Sequence, residues 1–147
     1  MTVMDLPFKR VRPEGWLPSA QHEGDAGLDL RAAADATIKP GERVIVPTGV
    51  AVAIPDGHAG LVLPRSGLAS KHGLTLANAP GLIDAGYRGE VMCSMVNLDR
   101  DEAIEIRAGD RIAQLVIVAI PSVVPVWAGE LPESHRGEGG FGSTGTS

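Results

Sequence analysis

Ala36-Thr37-Ile38-Lys39-Pro40-Gly41-Glu42-Arg43-Val44-Ile45-Val46-Pro47-Thr48-Gly49-Val50-Ala51-Val52-Ala53-Ile54-Pro55-Asp56-Gly57 is the stretch that decides the fold. Ala36 to Ile38 leads into a Lys39-Pro40-Gly41-Glu42 turn, and Val44 to Ile54 is a long β-branched run interrupted by Pro47-Thr48-Gly49. Pro55-Asp56-Gly57 closes it with a second turn. Strand-forming runs separated by Gly/Pro turns predict β structure. The same rhythm continues outward. Ala59 to Leu63 follows the second turn, and Val91 to Val96 is apolar on both faces, as a buried strand is. Ala103 to Arg107 alternates, as a half-exposed strand does, and Arg111 to Ile120 and Val123 to Trp127 complete the set. Many short strands predict an all-β sandwich or barrel. Residues 1–24 read as irregular.

One helix is predicted, Ser66 to His72, with Ser66 as N-terminal cap and Gly73 as the left-handed stop. There is also an internal echo. Ile38-Lys39-Pro40-Gly41-Glu42-Arg43-Val44 resembles Ile106-Arg107-Ala108-Gly109-Asp110-Arg111-Ile112, which suggests two similar hairpins. On that reading Gly109-Asp110-Arg111 is turn architecture. Gln114 has no polar counterpart in the echo, where Val46 stands, so its amide needs a partner: a backbone group or a ligand oxygen.

The chain has 147 residues, 44% of them hydrophobic, which suits one domain with a real core. A net charge of -5 disfavours a general nucleic-acid binder, because such affinity comes from displacing counterions with Lys and Arg. Cys93 is the single cysteine, so neither an intrachain disulfide nor a Cys-based metal site is expected. No apolar run is long enough to span a membrane, and Met1 to Arg12 lacks the apolar stretch of a signal peptide; a cytoplasmic home is expected.

Several segments carry side chains suited to chemistry. Asp84 follows Gly81-Leu82-Ile83 at the edge of an apolar run, where a carboxylate serves as a general base or caps a turn. Tyr87, the single tyrosine, can lie flat against a sugar, and Asn78 can bridge a phosphate or a water. Pro64-Arg65-Ser66-Gly67 places a guanidinium beside a helix start. Asp25 and Asp29, with Asp84, are candidates to support Mg²⁺ directly or through waters. His22, His58, His72 and His135 are scattered and suggest no zinc site. The chain ends in Arg136-Gly137-Glu138-Gly139-Gly140-Phe141-Gly142-Ser143-Thr144-Gly145, with five glycines in ten positions. Such a segment builds no core and is expected to be a flexible arm over residues 133–147, following a single β domain over 1–132. Phe141 can stack on a base, while Arg136, Ser143, Thr144 and glycine N–H groups hold phosphates.

Five blocks of the chain, in order, resemble the trimeric deoxyuridine triphosphatases. They are Ala26 to Leu30, Pro64 to Ala69, Asn78 to Glu90, Gly109 to Leu115, and Arg136 to Gly145. The resemblance implies a jelly-roll-like subunit in a homotrimer with active sites at subunit interfaces. It implies Mg²⁺-assisted hydrolysis of dUTP to dUMP and pyrophosphate, which limits uracil in DNA and supplies dUMP for thymidylate synthesis. It further implies that Asp84 orients the attacking water, that Tyr87 excludes ribose, and that backbone around Met92 reads uracil. Arg65, Ser66, Gly67, Asn78, Gln114, Arg136, Gly142, Ser143 and Thr144 are implied in binding the nucleotide, mainly its phosphates. Phe141 is implied in covering uracil, and Asp29 in supporting the metal through water. Neither nucleic acid nor membrane is an implied partner. The deoxycytidine triphosphate deaminases resemble the same fold, but their catalytic glutamate, three residues before an asparagine, corresponds to Ser94 before Asn97 here. Serine is no proton shuttle for that reaction, so deamination is disfavoured. A nucleotide-binding β-trimer without turnover is the remaining alternative.

Overall fold

The computed structural model describes residues 3–142, 144 and 145; Ser143 lies outside the described residues. Its strands are β1 (Phe8–Arg10), β2 (Leu28–Arg31), β3 (Ala36–Ile38), β4 (Arg43–Val52), β5 (His58–Leu63), β6 (Leu74–Leu76), β7 (Gly81–Ile83), β8 (Glu90–Asn97), β9 (Ile104–Ile106) and β10 (Arg111–Ala119). The one helix among the described residues is α1 (Ser66–His72). Two four-stranded sheets, ordered β1-β4-β8-β6 and β2-β10-β5-β7, face each other, and a two-stranded sheet β3-β9 flanks them. All named pairings are antiparallel.

The alternation of the strands explains the core. On β8 the inward residues Val91, Cys93, Met95 and Asn97 are buried, while Met92 faces out. They meet Leu30, Val46, Val62, Ile112 and Leu115 from the neighbouring strands and the facing sheet. Asn97 is the polar exception in this layer, and its amide donates to Ile38 O and Glu102 O, so its burial is satisfied. Burial of Cys93 pushes its thiol up to about 12, which keeps it protonated and inert.

Several features differ from the reading of the sequence. Pro47-Thr48-Gly49 does not break β4; the strand runs through it with a bulge between Pro47 and Ala51. Val123 to Trp127 forms no strand within the chain, because no sheet edge of its own chain pairs with it. Residues 8–10 form a short edge strand inside the segment read as irregular. Ser66 is the first helical residue and not the cap; Arg65 holds the cap position, with no side-chain capping bond. Gly73 does stop the helix, at φ 72°.

The internal echo is real in its turns and false in its strands. Glu42 N donates to Lys39 O and Asp110 N to Arg107 O. Each acid also accepts from the first N–H of its turn, Glu42 from Lys39 and Asp110 from Arg107. Yet neither unit is a hairpin: β3 pairs with β9, while β4 and β10 each join a different four-stranded sheet. The echoed turns carry the chain from the small sheet into the two large ones.

Candidate active site

Two clefts hold the candidate residues that lie outside the C-terminal arm. The first lies where β7 and β8 meet, lined by Leu76, Asn78, Asp84, Tyr87, Glu90 and Met92 among others. The second lies between β2, β10 and the start of α1, and its lining includes Gln21, Asp25, Asp29, Arg65, Ser66, Gly67, Arg111 and Gln114. The linings of the two clefts share no residue.

In the first cleft the backbone of β8 is left open by its neighbours. Pro47, opposite Met92, turns its carbonyl to Ala33 N, away from β8. Strand alternation therefore directs the N–H and C=O of Met92 to the other edge of β8. There β6 has already ended at Leu76, and the last bond is Ala77 N to Ser94 O. The adjacent positions are occupied: Thr48 Oγ1 donates to Val91 O at 2.6 Å, and Tyr87 OH donates to Glu90 O at 2.9 Å. One donor and one acceptor remain on Met92, side by side, facing the cleft. A flat amide edge fits them.

The Tyr87 ring forms the wall beside this edge. It packs on Gly89 so closely that a Cβ there would sit 2.5 Å from its hydroxyl oxygen. Asp84 ends β7 at the rim; Tyr87 N donates to its carbonyl at 3.1 Å. The carboxylate is exposed and enters none of the hydrogen bonds or ion pairs among the described residues. The expectation of an Asp held at the edge of the core is thus corrected to an exposed one, which pays no desolvation cost and is free to meet water or a ligand.

The second cleft is built from charge. The Asp29 carboxylate stands between Arg65 Nε and Arg111 Nη1, each at 3.5 Å. Arg111 also donates to Gln21 Oε1, and Arg65 Nη1 to Arg111 O at 3.3 Å. Gln114 Nε2 donates to Pro64 O at 3.0 Å, so its amide has a backbone partner. Gln114 Oε1 rests over Gly27, where a Cβ would come within 2.2 Å. A Cβ on Gly67 would meet nothing within 4 Å, so packing inside the chain does not demand glycine there. Arg111 was hidden from sequence reasoning by the echo, which assigned it to a turn. Gln21 lay in a loop that no pattern marked.

Asp25 and Asp29 do not join Asp84 within one chain, and no group of three His, Cys, Asp or Glu among the described residues could hold a metal. An all-protein cage is therefore excluded for these residues. A hydrated Mg²⁺ carried by phosphates and touched by one carboxylate fits the second cleft, since that ion keeps several waters.

The described C-terminal residues line neither cleft. Arg136 Nε donates to Gly139 O at 2.6 Å, and Gly145 N donates to Gly142 O at 3.0 Å. Phe141 and Thr144 are exposed. Among the described residues, every side-chain hydrogen bond of this segment stays within it.

The family model described as dUTPase matches residues 14–145. The chain belongs to the dUTPase family. It is 56% identical over 142 residues to a deoxyuridine 5'-triphosphate nucleotidohydrolase of Leifsonia xyli, covering 97% of this chain and 91% of that one. A nucleotidohydrolase of the same name from Mycolicibacterium gilvum is 52% identical, covering 95% and 94%. Among solved structures, a mutant dUTPase of Staphylococcus bacteriophage 80alpha with dUpNHpp superposes with a TM-score of 0.92 at 32% identity, covering 98% of this chain and all of that one. A phage phi11 dUTPase mutant, described with the coordination of a structural Mg(II) ion, superposes at 0.82 with 28% identity, covering 88% and 100%. The all-β sandwich with one short helix is thus the dUTPase fold.

Proposed function

We propose that this chain hydrolyses dUTP to dUMP and pyrophosphate at sites assembled from several subunits of a homotrimer. The observation that carries the assembly is the separation of parts. The amide-edge reader and Asp84 occupy one cleft, the charged residues Asp29, Arg65, Arg111 and Gln114 another, and the arm with Arg136 and Phe141 reaches neither. A single nucleotide needs all three sets, so they meet only when chains associate. Val123, Val124, Val126, Trp127 and Leu131 are strongly exposed in the single chain, and a run of this kind is a natural subunit contact.

Each part has a role that its chemistry supports. Uracil presents adjacent acceptor and donor groups, which pair with the Met92 N–H and C=O; cytosine reverses that pattern and leaves buried groups mismatched. Asn78 borders the same cleft and supports the base or a bridging water. Tyr87, which lines the same cleft, excludes a ribose 2′-OH. Asp84 orients a water for in-line attack on the α-phosphorus and takes its proton. Arg65, Ser66, Gly67 and Gln114 bind the phosphates, joined by Arg136, Gly142, Ser143 and Thr144 of an arm from another subunit. Phe141 then covers the base, and stacking of this kind is worth ~1–3 kcal/mol, offsetting part of the ordering entropy of the arm. Asp29 would hold Mg²⁺ through water, and that ion would neutralise charge on the triphosphate. The place of action proposed is the cytoplasm; no helix among the described residues is long and apolar enough to cross a membrane.

The test is incubation with Mg²⁺ and dUTP, UTP or dCTP, reading pyrophosphate and ammonia. Pyrophosphate from dUTP alone is the expected result. Ammonia from dCTP would favour the deaminase reading, and binding without turnover the non-catalytic one.

A further inference from the structure

The N-terminal segment, which no motif claims and which begins before the residues matched by the family model, is tied to the base-and-sugar cleft. Strand β1 pairs with β4 from Phe8↔Val52 to Arg10↔Val50. Val11 N then donates to Gly49 O at 2.8 Å and Arg12 N at 3.3 Å. Gly15 packs on the same bulge, where a Cβ would lie 2.2 Å from Gly49 O. This strap delivers Arg12 to Glu90. Arg12 Nε donates to both carboxylate oxygens, at 3.0 and 2.8 Å, and Gly49 N donates to one of them at 2.8 Å. Glu90 opens β8 and lines the cleft, and its carbonyl accepts the Tyr87 hydroxyl.

We propose that Arg12 is a positioning residue for substrate discrimination: it holds the Glu90 carboxylate against the bulge and so fixes the backbone that anchors the Tyr87 wall. The inference rests on the dUTP reading above. The Arg12 side chain is 45% exposed and that of Glu90 18%. Solvent screens a pair of this kind, so it contributes little to folding stability, and its effect is on geometry. The hydrogen bond and charge of Glu90 raise the Arg12 guanidinium further above its ordinary value, so the strap stays charged throughout the working pH range. Without Arg12, Glu90 keeps only one backbone donor. Its carboxylate is then free to turn toward the polyanionic substrate, and Tyr87 loses a fixed acceptor.

The test compares Arg12→Ala, Arg12→Lys and Glu90→Gln with the parent chain, measuring kcat and KM for dUTP and UTP and the melting temperature of each. Arg12→Ala is expected to lower the ratio of kcat/KM for dUTP over UTP about tenfold, mostly through a higher KM for dUTP, with the melting temperature nearly unchanged. Arg12→Lys, which keeps a cationic donor, recovers most of the ratio. Glu90→Gln, which keeps the Gly49 contact and loses the charge, falls between. An active parent whose Arg12→Ala variant keeps the full ratio overturns this inference alone, even if both rates fall together. A parent inert toward dUTP overturns the hydrolase reading and this inference with it. Should Arg12→Ala not fold, Glu90→Gln decides by the same ratio, an unchanged value being the contradiction.

Discussion

The two clefts offer a ligand different physics. The β7–β8 cleft combines aliphatic side chains with open backbone groups and one ring; the cleft beside β2 and β10 is lined by carboxylates, guanidiniums and amides that balance charge. The first can discriminate because a mismatched edge leaves buried groups unpaired, a cost water cannot repay. The second cannot discriminate between bases, since every nucleotide triphosphate presents it with the same oxygens. On the proposed reading, selectivity and affinity for the triphosphate fall on separate pieces of the sandwich, and Asp84 sits with the selective one.

The sharpest way to break this division is Asp84→Asn. Turnover of dUTP should fall by on the order of 10³-fold, while binding of a non-hydrolysable analogue, measured by calorimetry, stays intact. Retained turnover would remove Asp84 from the chemistry. Truncation after Pro132 comes next. The arm contributes nothing to the buried core, so circular dichroism and melting should be unchanged while kcat/KM drops by about 10²-fold. Unaltered kinetics would show an idle tail.

Two glycine substitutions then sharpen the contrast between the clefts. In Gly89→Ala the new methyl pushes the Tyr87 ring aside. The preference for dUTP over UTP should shrink about tenfold in competition assays. In Gly27→Ala the methyl displaces Gln114 Oε1 instead. Here kcat/KM should fall about threefold for dUTP and UTP alike, with the ratio preserved. A ratio change in Gly27→Ala would mean that the clefts are not independent. A prediction outside the clefts concerns Cys93. Its folded thiol titrates near 12 against an ordinary value of 9.0, so its contribution is complete below pH 9 and is lost as pH rises toward 12. Equilibrium unfolding across that alkaline range should show the loss, and Cys93→Ser, whose hydroxyl does not titrate there, should remove that part of the pH dependence.

Much of the sandwich was legible because its signals are local. The β-branched runs of β4 and β10, the turn glycines 41 and 109, and the Ser66–His72 helix with its Gly73 stop each announce themselves within a few residues. What escaped depends on partners distant in sequence. Strands β1, β2, β6 and β7 are three or four residues long and are strands only because β4, β10, β8 and β5 lie beside them. Val123 to Trp127 shows the converse: a β-forming run without a partner edge in its own chain. The same holds for the site. Asp84 and Tyr87 stood out by type and spacing, whereas Arg12 gains meaning only from Glu90, Arg111 from Asp29 and Gln21 from Arg111, reached across 78, 82 and 90 positions of sequence. Where the sequence reading expected carboxylates to converge, the fold keeps them apart, because Asp29 and Asp84 lie on β2 and at the end of β7, at opposite edges of one sheet.

Subunit complementation tests shared sites most directly. Two inactive forms, Asp84→Asn and the chain truncated after Pro132, are co-expressed with different tags, and mixed assemblies are isolated. If the carboxylate and the arm of each site come from different chains, each mixed trimer regains about one site in three, and dUTP hydrolysis returns to that level. Mixed assemblies as inactive as their parents would contradict the account.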